Sequence, residues 1–111
     1  MALINLTVNI YGNILNTNDR VKLSVYRLYI HSELMSERTW IWREQSNHTC
    51  IKEDIWVDLD LDANRTHIVN LEQIFIRSDP NITLGISNLD VLTHQFEILN
   101  SDSNSITFRI V

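Results

Sequence analysis

Residues 3–11 read LINLTVNIY, with Ile4, Leu6, Val8 and Ile10 at every second position and Asn5, Thr7, Asn9 and Tyr11 between them. Successive side chains of a strand point to opposite faces, so this spacing buries one face and wets the other. On a helix the same residues would be scattered around the axis. The stretch is predicted to be a half-buried strand, and much of the chain repeats its pattern. Ile55, Val57, Leu59 and Leu61 mark an inner face, as do His67, Val69 and Leu71, and then Ile82, Leu84 and Ile86. NSDSNS (100–105) joins a closing hairpin whose inward residues are Phe96, Ile98, Ile106, Phe108 and Ile110.

Two regions break the pattern. Val21, Leu23 and Val25 share one face but Tyr26, Leu28 and Ile30 share the other, which predicts a bulge or a change of sheet near Tyr26-Arg27. SELMSER (32–38) has fair helix propensity and predicts a short helical turn, followed by a strand at TWIWRE (39–44). Turn chemistry falls at Gly12–Arg20, at Asp62–Arg65 and at Ser78–Asn81, which holds the only proline, while Asn47–Asp54 reads as a polar connection. The sum is one all-β domain over 1–111: seven to nine short strands in an antiparallel sandwich, immunoglobulin-like or C2-like.

A chain of 111 residues with 44% hydrophobic and 21% charged residues can bury a core without staples. Its formal charge is −5, and its nine Lys and Arg are scattered rather than gathered in a stripe, which argues against nucleic acid and against an anionic membrane surface. Cys50 is the only cysteine, so no intrachain disulfide forms and a reducing compartment, the cytoplasm, is the simpler expectation. The opening MALINLTVNIYG has no basic region or apolar block of a signal peptide. A periplasmic location stays open if Met1-Ala2 replaces a removed leader. No run is apolar and long enough for a transmembrane helix.

WVDLDLD (56–62) sets Asp58, Asp60 and Asp62 at every second position. They match the opening of a helix-loop-helix calcium site, but Ala63 stands where that loop needs glycine and Val69 where it needs a bidentate glutamate. On a strand they project from one face about 7 Å apart, too far for neighbours to share an ion unaided. A solvated face accounts for all three, leaving them weak metal candidates. Trp40 and Trp42 share a face. Large aromatics are usually well buried, which favours the core for this pair; exposed, they would join Trp56, Tyr26 and Tyr11 in a platform for a protein partner. His31, His48, His67 and His94 lack metal-ligand spacing and read as scattered surface residues. No nucleophile elbow, phosphate-cradling glycine loop or carboxylate pair in an apolar pocket is visible. Neither an enzyme nor a bound cofactor is expected.

A long alternating first strand, a polar loop and a second strand carrying Val25-Tyr26-Arg27-Leu28 resemble the β-sandwich lipoprotein that tethers type VI secretion complexes to the outer membrane. The likeness covers about the first quarter of the chain. It implies a sandwich subunit of a secretion assembly, but the lipidated N-terminal cysteine of that family is missing, since Cys50 is interior. The expected function is therefore a non-enzymatic interaction or assembly module: a structural subunit, adaptor or inhibitor that docks to a protein, with strand edges available for homo-oligomers. The alternatives are the secretion subunit and a carbohydrate- or calcium-binding module.

Overall fold

Alternation becomes eight antiparallel strands in a computed structural model that describes residues 2–14, 21–43, 50–74 and 82–111, with the side chains of residues 14, 21–23, 42, 43 and 82 outside the description. The strands are β1 (Ala2–Ile14), β2 (Val21–Ile30), β3 (Glu33–Arg43), β4 (Cys50–Leu59), β5 (His67–Ile74), β6 (Ile82–Val91), β7 (Phe96–Asp102) and β8 (Ser105–Ile110). One sheet has the order β4-β1-β6 and the other β3-β2-β5-β8-β7, and the two form a β-sandwich. The chain changes sheet between β1 and β2, β3 and β4, β4 and β5, β5 and β6, and β6 and β7; only β2–β3 and β7–β8 are hairpins. No helix among the described residues is long and apolar enough to cross a membrane.

The face predicted from LINLTVNIY is the centre of the core. Ile4, Leu6, Val8 and Ile10 are buried against Tyr26, Leu28 and Ile30 of β2, Val69 and Leu71 of β5, and Ile106, Phe108 and Ile110 of β8. Ile55, Leu59, Leu84, Ile86, Leu89 and Val91 complete it from the flanking strands of the smaller sheet. Polar partners of this face point to water, and on the larger sheet they pair as Arg27 with Glu37 and Glu72, and Arg109 with Glu97.

Several local expectations need correction. No slip occurs near Tyr26: Ser24, Tyr26, Leu28 and Ile30 are all buried, and Val25 points outward. Ser24 misled because it is polar yet inward, its hydroxyl donating to the Ile74 carbonyl and accepting from the Gln73 amide. Residues 33–43 are strand, not helix, because pairing with β2 overrides the helix propensity of SELMSER. β1 runs through Gly12 to Ile14, and β4 already begins at Cys50 inside the expected polar connection. Leu61 lies beyond the end of β4 and is exposed, and Ile98 is on the inward phase of β7 yet exposed. The turn expected at Ser78–Asn81 lies outside the described residues.

β2 and β3 meet through His31-Ser32 alone, since Ile30 pairs with Glu33. His31 and Ser32 both have positive φ, 51° and 66°, the signature of the primed turn whose twist matches the flanking strands. Left-handed backbone costs a non-glycine residue about 1 kcal/mol. Ser32→Gly is therefore expected to raise stability by up to about 1 kcal/mol, read as a higher urea midpoint with unchanged slope.

Edges of the smaller sheet are treated unequally. The outer edge of β6 is capped from the larger sheet: the Leu84 amide donates to Gln73 Oε1 at 2.9 Å and the Ile86 amide to the Ser103 carbonyl at 2.6 Å. Backbone groups that would otherwise template a further strand are thereby satisfied.

Candidate functional site

The outer face of the β4-β1-β6 sheet gathers residues that strand phase alone sends there. Leu3, Asn5, Thr7, Asn9 and Tyr11 of β1 alternate with its core residues. Cross-strand register then sets Asp58 beside Leu3, Trp56 beside Asn5, Asp54 beside Thr7 and Lys52 beside Asn9. On the other side Asp90 stands beside Thr7 and Asn88 beside Asn9. Leu92 reaches Asn5 through its amide, which donates to the Asn5 carbonyl at 3.0 Å. One row of the face is therefore Trp56, Asn5 and Leu92, with Leu3 one step below.

Trp56 is 60% exposed, Leu3 64% and Leu92 56%, an apolar group standing in water on a rigid sheet. Around it the charge is mainly negative: Asp54, Asp58 and Asp90 against Lys52. Side chains on the face bond to one another, Thr7 Oγ1 donating to Asp54 Oδ1 at 2.9 Å and Asn9 Nδ2 to Asn88 Oδ1. Tyr11 is half-buried and lies over Gly85, where a Cβ would stand 2.8 Å from its ring.

The other aromatic candidates go elsewhere. Trp40 is 1% exposed and Tyr26 fully buried, so neither can present a docking surface; the Trp42 side chain lies outside the described residues. Trp40 projects inward from β3 across the sandwich onto Gly12 of β1, the one residue small enough to receive its indole, because a Cβ there would stand 2.5 Å from Trp40 Cζ2. Of the expected platform, Trp56 and Tyr11 remain on one exposed sheet face.

Nor do the three aspartates share a strand face. Asp58 does point outward from β4, but the strand ends at Leu59 and Asp60 and Asp62 belong to the turn that follows. Their carboxylates cap its backbone: Asp60 Oδ1 accepts from the Asp62 amide at 3.0 Å and Asp62 Oδ1 from the Asn64 amide at 2.9 Å. Asp60 also pairs with Arg65 at 3.5 Å. Among the described residues no three of His, Cys, Asp and Glu are placed to hold a metal ion.

Two polar clusters were not read from the sequence. Glu53 of β4 is buried, where its Oε1 accepts the Tyr26 hydroxyl and pairs with Arg38 Nε at 2.7 Å. Its position two residues before Ile55 was the available signal. Burial, and then the hydrogen bond to the Glu53 carboxylate, push the Tyr26 hydroxyl well above the ordinary phenol range. The second cluster is His31 and His67, 36 residues apart in sequence, with His31 Nε2 2.8 Å from His67 Nδ1. His67 takes an inward position on β5 and is buried, its ring 5.4 Å from that of Phe108. The inward phase of His67 was legible, but the β2–β5 pairing that delivers His31 was not.

Comparison of the chain with known protein families, with characterised proteins and with solved structures finds no significant match.

Proposed function

We propose that the protein is a non-enzymatic docking module that binds a protein partner through the outer face of its three-stranded sheet, with Trp56 as the anchor. The observation that carries this reading is Trp56 itself, standing 60% exposed on the edge strand β4 of a hydrogen-bonded face that also exposes Leu3 and Leu92. A tryptophan left in water on a rigid scaffold contributes most when a partner covers it, which is why such residues dominate binding energies. Asp54, Asp58 and Asp90 ring the anchor and suit a partner whose rim carries lysine or arginine.

Trp56→Ala is expected to weaken binding to an isolated partner about 30-fold or more, the equivalent of about 2 kcal/mol for a central anchor. Its urea unfolding should stay within about 0.5 kcal/mol of the parent, because the side chain is exposed. Ile68→Ala, on the larger sheet, serves as the control. Equal affinity for the parent and the Trp56 variant removes this face from the function. The same indole beside Asn5 also suits stacking of a sugar ring with a hydrogen bond at its edge; binding on a glycan array that Trp56→Ala abolishes would favour that second reading.

A further inference from the structure

We infer that His31 and His67 form a proton-counting clasp that holds the β2–β3 turn to the body of the sandwich, accepts one proton while closed, and opens on the second. Hydrogen-bond geometry fixes the logic. His67 Nε2 lies 3.1 Å from the Asp60 carbonyl oxygen, which only accepts, so that nitrogen carries the hydrogen. In neutral His67 the other nitrogen, Nδ1, is then a bare lone pair, and it faces His31 Nε2 at 2.8 Å. His31 must donate. The contact needs one of the two facing nitrogens bare, a condition that one added proton on the pair still allows. A second proton, on His67 Nδ1, sets N–H against N–H between two cations and breaks it.

The surroundings reinforce this order. Burial first, and then the charge of His31, hold the His67 pKa below the ordinary imidazole value, although the Asp60 carbonyl and carboxylate act the other way. From β8 the ring meets Phe108, which is uncharged. The Asp60 carboxylate is itself engaged by Arg65 and the Asp62 amide. On the β3 side the first charged residue is Glu33, opposite Ile30. A depressed native pKa means that the open or unfolded state binds the proton more readily. The clasp therefore contributes fully above about pH 6.5 and is lost as pH falls from there through the lower native value.

What the clasp restrains is the left-handed His31-Ser32 turn, which is also tied to β5 by the His31 amide donating to the Ile68 carbonyl at 3.2 Å. That amide is the reporter. Hydrogen-exchange protection of the His31 amide, corrected for the intrinsic pH dependence of exchange, should fall at least tenfold between pH 7.5 and pH 5 in the whole protein. In His67→Phe, which keeps a ring against Phe108 but cannot take a proton, protection should be lower than in the parent at pH 7.5 and unchanged by acid. On the unsubstituted protein, nitrogen chemical shifts at pH 7.5 should show His67 with its hydrogen on Nε2. Protection that ignores pH in the parent, an acid response equal in His67→Phe, or His67 carrying its hydrogen on Nδ1 would each overturn the inference. Should the phenylalanine variant fail to fold, the parent's protection profile and tautomer decide alone.

Discussion

Replacing Trp40 with alanine will destabilise the domain by about 3–5 kcal/mol, against a total of about 5–15 kcal/mol for a domain of this kind. Among the described residues the indole is the largest fully buried side chain, and it spans from β3 to the backbone of β1 at Gly12. Its loss opens a cavity that β3, held in register by β2, and β1, held by β4 and β6, can only partly collapse to fill. Urea unfolding followed by far-ultraviolet circular dichroism reads the change. Gly12→Ala provides the complementary test, since its methyl carbon would stand 2.5 Å from Trp40 Cζ2. A buried indole has no free end to swing away, so this substitution alone should cost about 1–3 kcal/mol. In the Trp40→Ala background the same methyl enters empty space and should cost almost nothing. Strong non-additivity is the expected signature of direct contact. Additive effects would show that the indole does not rest on Gly12.

The second large effect belongs to Glu53. Glu53→Ala leaves the buried Tyr26 hydroxyl without its acceptor and Arg38 without its counter-ion, an expected loss of about 3 kcal/mol. Arg38 is itself 64% exposed and rehydrates readily, so the Tyr26 side of the cluster should dominate. Tyr26→Phe combined with Glu53→Leu removes donor and acceptor together and should cost well under the sum of the single changes. The same hydroxyl sets an alkaline limit. The native pKa of Tyr26 lies above the unfolded value, so the folded state keeps the proton longer. Its contribution is complete below the unfolded value of about 10 and is lost as pH rises past it. Tyrosinate absorbance during an alkaline titration should thus include one residue that ionises only as the circular dichroism signal collapses, and Tyr26→Phe should abolish that component.

Alternation was legible wherever a strand carried apolar residues on its inner face, as in Ile4 to Ile10 or Ile106 to Ile110, because period two has no competing explanation there. It was misread where the inward residue is polar. Ser24 and Glu53 both face the core and both are satisfied by partners from other strands. Such partners come from pairings distant in sequence, which a local pattern does not contain. SELMSER failed for the same reason in reverse: a local preference yielded to ten cross-strand pairs between β2 and β3. For the candidate site, the outward phase of Trp56 relative to Ile55 and Val57 was readable. Its neighbours Asn5 and Leu92, which turn a lone indole into part of a surface, depended on register.

Placement of β1 between β4 and β6 has a consequence for how the protein is made. β1 is made before its two sheet neighbours, which begin at residues 50 and 82, so its Ile4-to-Ile10 ridge lacks both of them until those segments have been synthesised. Closing such long loops before any reward places the molecule among slowly folding topologies. Nascent chains are therefore exposed to self-association until β6 arrives, and expression at low temperature or with abundant chaperones should favour monodisperse product.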